Sequence, residues 1–263
     1  MTKLCVIAPS GRMGAQVAML ASELGGVSLS SALVRDVSER PSYLASEVLL
    51  TNDVDAALTA SDVYIDFSTP ALSEKIASAA MAHKTAAVVG TTGLDKNALD
   101  ALAALSQVVP VFVAANFSPG VALVLHLAEI AARALGPDYD MEVLELHHRN
   151  KVDSPSGTAL ALGKSLAQGR GIDFEASKQC SRDGMIGPRG ENEIGLLALR
   201  GGDIVGEHTA YLIADQERIE ITHRAQKRSV FAHGALRAAR WLSDKTPAMY
   251  GMADLLRIGP GAN

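Results

Sequence analysis

The chain has 263 residues, 48% of them hydrophobic and 20% charged, which is enough apolar material for a folded core and argues against disorder. Its 24 Lys and Arg against 29 Asp and Glu give a net charge of −5, whereas a general nucleic-acid binder usually carries a basic excess. The 2 cysteines cannot form a disulfide framework, and the sequence shows neither a secretion signal nor an apolar run that predicts a membrane span, so we expect a cytoplasmic protein.

Up to Phe117 the sequence alternates between short apolar runs and Ala-rich stretches with helical spacing. Short strands separated by helices indicate βαβ units and a parallel sheet with helices on both faces. Such sheets bind ligands beyond the carboxyl ends of their strands, so we predict a Rossmann-like dinucleotide-binding domain over 1–118. The predicted strands are 3–8, 27–34, 62–67, 86–89 and 109–114, and the predicted helices are 14–24, 54–59, 72–83 and 95–106.

The pattern changes after Pro119-Gly120. Strands that follow one another without a helix are typical of a mixed or antiparallel sheet, so we predict a second, α+β domain with a mixed open sheet over 119–228. A last helix, 230–242, would return to the first domain, so that 229–263 joins it. The predicted elements of the second domain are a long helix over 121–135, a strand over 141–147, a helix from Gly157, and two or three strands within 194–200, 207–215 and 218–225.

The first predicted strand ends in a loop, Ala8-Pro9-Ser10-Gly11-Arg12-Met13-Gly14, that opens a helix. The spacing Ala8-x-x-Gly11-x-x-Gly14 matches a dinucleotide-binding fingerprint with alanine at the first glycine position. Glycines in such a turn let the backbone approach a pyrophosphate at the helix N-terminus. A plain strand-to-helix turn is the alternative interpretation.

The second strand ends at Val34-Arg35-Asp36, where dinucleotide-binding folds hold the ribose. Arg35 is suited to a 2′-phosphate through bidentate hydrogen bonds, whereas Asp36 is suited to the ribose hydroxyls. A solvated pair of loop charges is the alternative for both residues. The arginine favours NADP.

The other predicted strands also end in small or polar residues, namely Asp66 to Pro70, Gly90-Thr91-Thr92-Gly93 and Ala114-Ala115-Asn116-Phe117-Ser118. Each segment alone is typical of a turn. Because they would meet at one edge of the sheet, together they favour a cofactor lying across it.

The residues from His147 to Lys151 are unusually basic for a chain that is acidic overall. Strand geometry predicts Val143, Glu145 and His147 on one face of a strand and His148 on the other. A solvated basic loop is one alternative. The spacing of the two histidines is not that of a zinc site, so we predict no metal.

A helix start follows this basic segment at Pro155-Ser156-Gly157-Thr158. Backbone N–H groups at a helix N-terminus attract anions, Gly157 permits a close approach, and Thr158 adds a hydroxyl. We therefore predict an anion site, suited to a carboxylate, that converges with His147 and Lys151.

The segment from Glu142 to Ala159, Glu-Val-Leu-Glu-Leu-His-x-x-x-Lys-x-Asp-x-Pro-Ser-Gly-Thr-Ala, resembles the signature of the 4-hydroxy-tetrahydrodipicolinate reductase family, also called dihydrodipicolinate reductase. The segments Gly11-Arg12-Met13-Gly14, Gly90-Thr91-Thr92-Gly93 and Ala115-Asn116-Phe117-Ser118 recur in that family in the same order. The resemblance spans the whole chain.

The resemblance implies an NAD(P)H-dependent enzyme of lysine and diaminopimelate biosynthesis that reduces a small cyclic dicarboxylate to tetrahydrodipicolinate. It implies that His147 is the acid–base residue and Lys151 a second proton donor, and that His148, Gly157 and Thr158 bind the substrate. It also implies a homotetramer built through the sheet of the second domain. The cofactor-binding residues it implies are Ala8, Pro9, Ser10, Gly11, Arg12, Met13, Arg35, Gly90, Thr91, Thr92, Ala114, Ala115, Asn116 and Phe117.

Two positions depart from the pattern of the family. Many members have glycine where Ala8 stands, so the extra methyl group should loosen or shift the pyrophosphate turn. Many have an acid where Val34 stands, and its absence removes a ribose acceptor while Arg35 remains. We therefore expect NADPH to be preferred, with NADH as the alternative cofactor.

Two other functions are alternatives. A related dehydrogenase of a semialdehyde or an amino acid would need a different basic cluster. A catalytically silent NADP-binding sensor would have no use for His147, Lys151 and the helix start at 155–158 together.

Overall fold

The structure is a computed structural model that describes residues 1–259. Contacts within the chain divide it into two compact units. The first comprises Met1–Phe117 together with Ser229–Arg257, and the second comprises Ser118–Arg228. Of the C-terminal segment 229–263 that the sequence assigns to the first domain, 260–263 lie outside the described residues.

The first unit contains a seven-stranded parallel sheet with the order β12-β6-β5-β4-β1-β2-β3. The chain adds β2 and β3 on one side of β1, and it then adds β4, β5 and β6 on the other side of β1. The strand order therefore reverses between β1 and β4, as in Rossmann-like folds. The predicted fold of this part is therefore confirmed. Its strands are β1 (Thr2–Ile7), β2 (Val27–Leu33), β3 (Leu49–Thr51), β4 (Val63–Asp66), β5 (Ala86–Val89), β6 (Pro110–Val113) and β12 (Ala248–Tyr250).

Helices cover this sheet on both faces. Cys5, Tyr64 and Val111 belong to a core that α2, α3 and α4 complete, while α8 packs against β4, β5 and α1. All residues of β4 are buried, as expected of a central parallel strand. The helices are α1 (Arg12–Leu20), α2 (Val54–Thr59), α3 (Pro70–His83), α4 (Lys96–Leu105), α8 (Ser229–Leu242) and α9 (Met252–Leu256).

Local signals explain where two of these helices begin. Asp53 accepts the N–H groups of Asp55 and Ala56 at the start of α2, and Asp95 accepts the N–H of Ala98 at the start of α4. Such caps satisfy backbone donors that have no partner within the helix, and each contributes about 1 kcal/mol.

The second unit contains a five-stranded mixed sheet with the order β11-β10-β7-β9-β8. β10 runs antiparallel to β7 and β11, whereas β9 runs parallel to β7 and β8, which confirms the predicted mixed sheet. The elements of this unit are α5 (Pro119–Leu135), β7 (Asp140–His147), α6 (Gly157–Arg170), α7 (Phe174–Ser177), β8 (Lys178–Gln179), β9 (Ile194–Arg200), β10 (Gly206–Ile213) and β11 (Arg218–Ala225).

One face of this second sheet packs against α5 and α6. Val143 of β7 and Leu196 of β9 meet Ala128 of α5 and Leu162 of α6 in one buried cluster. The opposite face carries apolar side chains among polar ones such as Glu142, Thr209 and Glu220, and Leu197 and Leu199 on it are 41% and 52% exposed. We call this second face the open face; its apolar residues are Leu144, Leu146, Leu197, Leu199 and Tyr211.

The helix α5 is unusually apolar. By length and composition alone, the 20-residue segment Pro119–Asp138, with a mean hydropathy of 1.3, could cross a membrane. However, Ala128 and Ala132 of this helix are buried in the core of the second unit. The segment is therefore weak evidence for a membrane span.

Candidate active site

The loop predicted to hold a pyrophosphate joins β1 to α1. Ala8 donates its N–H to the carbonyl of Leu33 and accepts the N–H of Gly11, both at 2.9 Å. Its φ of 52° is left-handed, a conformation that costs an L residue about 1–2 kcal/mol and glycine little. The turn closes with Ala8 in the left-handed region, and the expectation that its methyl group loosens or shifts the turn stays a prediction.

Two further residues fix this loop. A Cβ at Gly14 would lie 2.3 Å from the carbonyl oxygen of Ala8, so only glycine lets α1 approach the strand so closely. The hydroxyl of Tyr43 donates to the carbonyl of Pro9 at 2.7 Å. Because Gly11, the N-cap of α1, has no side chain, it cannot cap the first-turn N–H groups, and these can serve an anion instead.

A cavity of about 750 Å³ opens beside this loop. The exposed side chains of Arg35, after β2, and Lys75, on α3, bring two positive charges to its lining, and Asp36 and Glu39 bring two negative ones. Sequence reasoning missed Lys75, because nothing in its local sequence separates it from other solvated helix charges. The predicted cofactor residues that line this cavity are Ala8, Ser10 and Arg35.

Asp36, the residue weighed as an alternative contact of the ribose, also lines this cavity. Its carboxylate accepts the N–H of Ser38 at 2.9 Å, and this hydrogen bond lowers the pKa of Asp36. The carboxylate of Asp36 is therefore ionised at neutral pH, and it already accepts one hydrogen bond from its own loop.

A second cavity, of about 410 Å³, is formed by the ends of β4, β5 and β6 together with α1 and α8. Its lining includes Phe67 and Ser68, from the predicted strand end 66–70 to which no single site residue was assigned, and Phe231, which was not predicted. The predicted residues that it contains are Arg12, Met13, Gly90, Thr91, Thr92, Ala115, Asn116 and Phe117. Pro9, Gly11 and Ala114 belong to the adjoining loops and line neither cavity.

The second cavity fits a flat polar group. The buried hydroxyl of Ser68 has no hydrogen-bond partner within residues 1–259, which is costly unless a ligand supplies one. The backbone N–H of Ser68 donates to Oγ1 of Thr91 at 3.0 Å. A Cβ at Gly90 would lie 2.1 Å from the ring of Phe67, so glycine is required for the ring to pack here. These residues therefore fit the nicotinamide half of a dinucleotide.

In the second unit, Val143, Glu145 and His147 are buried on one face of β7, as the alternation of the strand predicts. Glu145 is fully buried and accepts a hydrogen bond from Nδ1 of His147 at 2.5 Å. The guanidinium of Arg200 donates to both carboxylate oxygens of Glu145, at 2.8 and 2.9 Å. The N–H of Ser156 donates to the same carboxylate at 3.0 Å.

These contacts determine the charge of Glu145. Burial raises the pKa of Glu145, but the hydrogen bonds from His147, Arg200 and the N–H of Ser156 outweigh burial and lower the pKa to about 2. Glu145 is therefore an ionised acceptor at neutral pH.

A second buried histidine lies beside this pair. The rings of His147 and His208 meet edge to face with centroids 5.0 Å apart, and Nε2 of His208 bonds the hydroxyl of Ser156 at 3.0 Å. Burial, together with the charge of the nearby His147, lowers the pKa of His208 to about 4. His208 is therefore neutral at neutral pH, so the two imidazoles are not charged together.

The other predicted residues of this unit lie on the loop between β7 and α6 or at the first turn of α6. Lys151 donates its N–H to the carbonyl of His148 at 3.1 Å and pairs with Asp153 at 2.9 Å, and its charge helps to lower the pKa of His208. Gly157 is exposed as the first residue of α6, and Thr158 follows it. Ser156 caps this helix by accepting the N–H of Ala159.

The imidazole of His147 and the first turn of α6 are joined through Glu145 and Ser156, and Lys151 is joined to them through Asp153 and Arg200. These groups therefore belong to one cluster of hydrogen bonds and ion pairs. No group of three or more potential metal ligands was found among the described residues, 1–259.

Sequence reasoning assigned no role to Glu145 and missed Arg200 and His208. A carboxylate on the buried face of a strand needs a cationic partner, and this signal could have drawn attention to Glu145. The partner itself was not predictable, because Arg200 reaches it through the parallel register of β7 and β9, which pairs His147 with Arg200.

Comparisons with known proteins agree with this architecture. Residues 2–117 match the family model described as dihydrodipicolinate reductase, N-terminus, and residues 120–256 match dihydrodipicolinate reductase, C-terminus. A 4-hydroxy-tetrahydrodipicolinate reductase of Alkalilimnicola ehrlichii is 43% identical over 98% of this chain and 99% of its own length. One of Sulfurovum sp. is 42% identical over 98% of this chain and 100% of its own length.

Solved structures share the fold. The dipicolinate-bound dihydrodipicolinate reductase from Paenisporosarcina sp. TG-14 has a TM-score of 0.81 at 23% identity and covers 97% of this chain and 99% of its own. The DAP dehydrogenase of C. glutamicum in complex with DAP has a TM-score of 0.57 at 12% identity, over 99% of this chain and 95% of its own. Since both halves of the sequence match one family and full-length relatives exceed 40% identity, the chain belongs to the dihydrodipicolinate reductase family.

Proposed function

We propose that this chain catalyses the NAD(P)H-dependent reduction of 4-hydroxy-tetrahydrodipicolinate to tetrahydrodipicolinate, a step of lysine and diaminopimelate biosynthesis. The observation that supports it most directly is the carboxylate of Glu145, which holds both the imidazole of His147 and the N–H of Ser156 at the start of α6. One buried group thus joins a proton donor to a helix end that attracts anions. Substrate binding is assigned to 119–228, and cofactor binding to 1–118 with 229–263.

The substrate class is a small ring with two carboxylates. One carboxylate binds at the first turn of α6, where exposed Gly157 lets it approach the backbone and Thr158 adds a hydroxyl. The basic residues His148 and Lys151 neutralise the other. An overall acidic chain needs such a local cluster to hold a dianion.

The protein supplies the proton of the reaction. The hydroxyl of the substrate, which the product lacks, leaves as water. Hydride addition to the electron-poor ring then develops carbanion or enamine character that must be protonated, and a histidine is suited to this task near neutral pH. His147 is the acid–base residue, and Lys151, held by Asp153, is a second proton donor.

The cofactor binds to the first unit and, when bound, supplies the hydride. The two cavities beside the β1–α1 loop offer it a pair of cations at one end and the unpartnered hydroxyl of Ser68 at the other. NADPH is the preferred cofactor, because Arg35 and Lys75 suit a 2′-phosphate and Val34 offers no ribose acceptor. NADH is the alternative.

The chain assembles as a homotetramer through the open face of the second sheet. Its apolar residues Leu197 and Leu199 are about half exposed in a single chain. Exposed apolar patches rimmed by polar residues are typical of protein interfaces.

Turnover of enzymatically generated substrate, followed by oxidation of NADPH and of NADH, tests the proposed function. His147→Gln should lower kcat by about 10²- to 10⁴-fold, as expected when a general acid is lost, with a much smaller rise in KM. His233→Gln, at an exposed position on α8, is the control. Binding of NADPH without any turnover would favour the silent sensor, and turnover of a linear semialdehyde or amino acid would favour the related dehydrogenase.

A further inference from the structure

The Nδ1 side of the His147 imidazole faces Glu145, which Arg200 holds in turn, and the proposed function gives neither residue a role in the transfer of the proton. We propose that Glu145, held by Arg200, is a positioning residue that keeps a proton on Nδ1 of His147 and thereby assigns the proton exchanged in the reaction to Nε2. The proposal rests on the proposed function only in that this function makes His147 the acid.

The hydrogen bonds of Glu145 locate the proton. Oε2 accepts from Nδ1 of His147 and from Nη1 of Arg200, and Oε1 accepts from Nη2 of Arg200 and from the N–H of Ser156. Guanidinium and backbone N–H groups only donate, and a carboxylate has about four acceptor sites, all of them used here. A protonated Glu145 would oppose one of these donors, so the shared proton belongs to Nδ1.

The other ring nitrogen, Nε2, is not held by Glu145, and the side chain of His147 keeps an exposed fraction of 10%. A Cβ at Gly206 would lie 2.9 Å from Nε2 of His147, so only glycine fits beside this nitrogen without displacing the ring. Since Nδ1 is tied to Glu145, Nε2 is the nitrogen that can gain and lose a proton. The neutral ring of His208, edge to face with His147, adds no second positive charge beside it.

Arg200 extends this role to the neighbouring loop. Its Nη2 also donates to the carbonyl of Asp153 at 2.8 Å, and Asp153 is the residue that pairs with Lys151. The pair of Glu145 and Arg200 therefore fixes the imidazole, the loop that carries Lys151 and, through Ser156, the start of α6. Glu145→Gln keeps a side-chain oxygen that can accept the N–H of Ser156, so we expect its effect on proton transfer to be larger than its effect on substrate binding.

Nitrogen-15 NMR of the histidine side chains in the full-length protein tests the position of the proton. In the wild type, neutral His147 should be the Nδ1–H tautomer, with its signals assigned from their loss in His147→Gln. In Glu145→Gln the amide can donate to Nδ1, so the ring should shift to the Nε2–H tautomer. A wild-type ring in the Nε2–H form, or a tautomer unchanged in Glu145→Gln, would overturn the proposal.

The NMR measurement needs no turnover, so it can contradict the positioning role of Glu145 without contradicting the proposed function. In the activity assay, Glu145→Gln should lower kcat about 100-fold, the lower end of what general acid–base catalysis contributes, with KM changed far less. Glu175→Gln, which removes an exposed carboxylate paired with Lys178 in the same unit, is the matched control and should leave kcat unchanged. A loss confined to KM would contradict the positioning role. If Glu145→Gln does not fold, two other measurements test the positioning role. One is the tautomer of His147 in the wild type, and the other is kcat of Arg200→Lys, which should fall by less than the roughly 100-fold expected for Glu145→Gln.

Discussion

The side chain of Arg35 is the residue on which the choice of cofactor should depend. It lines the larger cavity of the first unit together with Lys75. Arg35→Ala should raise KM for NADPH about 10-fold or more, since a hydrogen bond to a charged group is worth ~1.5–3 kcal/mol, and should change KM for NADH little. Steady-state kinetics with both cofactors measure this. Lys96→Ala, at an exposed ion pair on α4, is the control, and an equal effect on both cofactors would contradict the 2′-phosphate site.

His208 should make the stability of the protein depend on pH. Its pKa is lowered from 6.5 to about 4 in the folded chain, mainly by burial. Between these values the unfolded chain binds more protons than the folded one, so the contribution is complete above pH 6.5 and is lost as the pH falls towards 4. The loss amounts to roughly 3 kcal/mol at 1.36 kcal/mol per pKa unit.

Denaturant unfolding of the wild type and of His208→Gln from pH 7 to pH 4 measures this contribution. The free energy of unfolding should fall less steeply in the variant, whose glutamine amide can still bond Ser156. The carboxylate of Glu145 acts in a separate window, because its pKa of about 2 makes its contribution disappear only as the pH falls below 4.5. Parallel curves for wild type and His208→Gln would show that His208 is not buried as a neutral ring.

At the scale of elements, the contact between β1 and α1 controls both stability and cofactor binding. A Cβ at Gly14 would overlap the carbonyl of Ala8, whereas a Cβ at Gly25 would meet no atom within 4 Å. Gly14→Ala should therefore destabilise the chain by about 1–3 kcal/mol, as overpacking does, and weaken NADPH binding, while Gly25→Ala should do neither. Denaturant unfolding and a fluorescence titration with NADPH measure the two effects. Equal stability of the two variants would mean that the turn relaxes freely.

The elements differ in how far their sequence predicts them. The strand 86–89 and the helix 54–59 were predicted with the bounds of β5 and α2, because each is an apolar or Ala-rich run between clear turn signals. β3 and β12 were not predicted: each has only three residues, too few for a periodic pattern, and each lies at an edge of the sheet where burial is partial. Short edge strands form because a neighbouring strand offers hydrogen bonds, and the local sequence does not show whether such a neighbour is present.

The residues of the candidate site also differ in how far the local sequence predicts them. Its motif residues, such as His147 and Gly157, were found because they are close in sequence and chemically unusual together. Arg200 was not predicted, since it reaches Glu145 through pairing of β7 with β9. Ser68 was predicted only as part of the strand end 66–70, because its hydroxyl is notable only for lacking a partner among the described residues.

At the scale of the molecule, the open face of the second sheet should determine assembly. Leu199 is 52% exposed on this face, and an interface that buries ~1,000 Å² or more around it would remove the apolar surface from water. Leu199→Glu would introduce an unpaired charge there, so tetramers should dissociate in light scattering coupled to size exclusion. Leu123→Glu, at a leucine 43% exposed on α5 of the same unit, is the matched control and should stay tetrameric. A wild type that runs as a monomer, or a Leu199→Glu variant that stays tetrameric, would move the interface elsewhere.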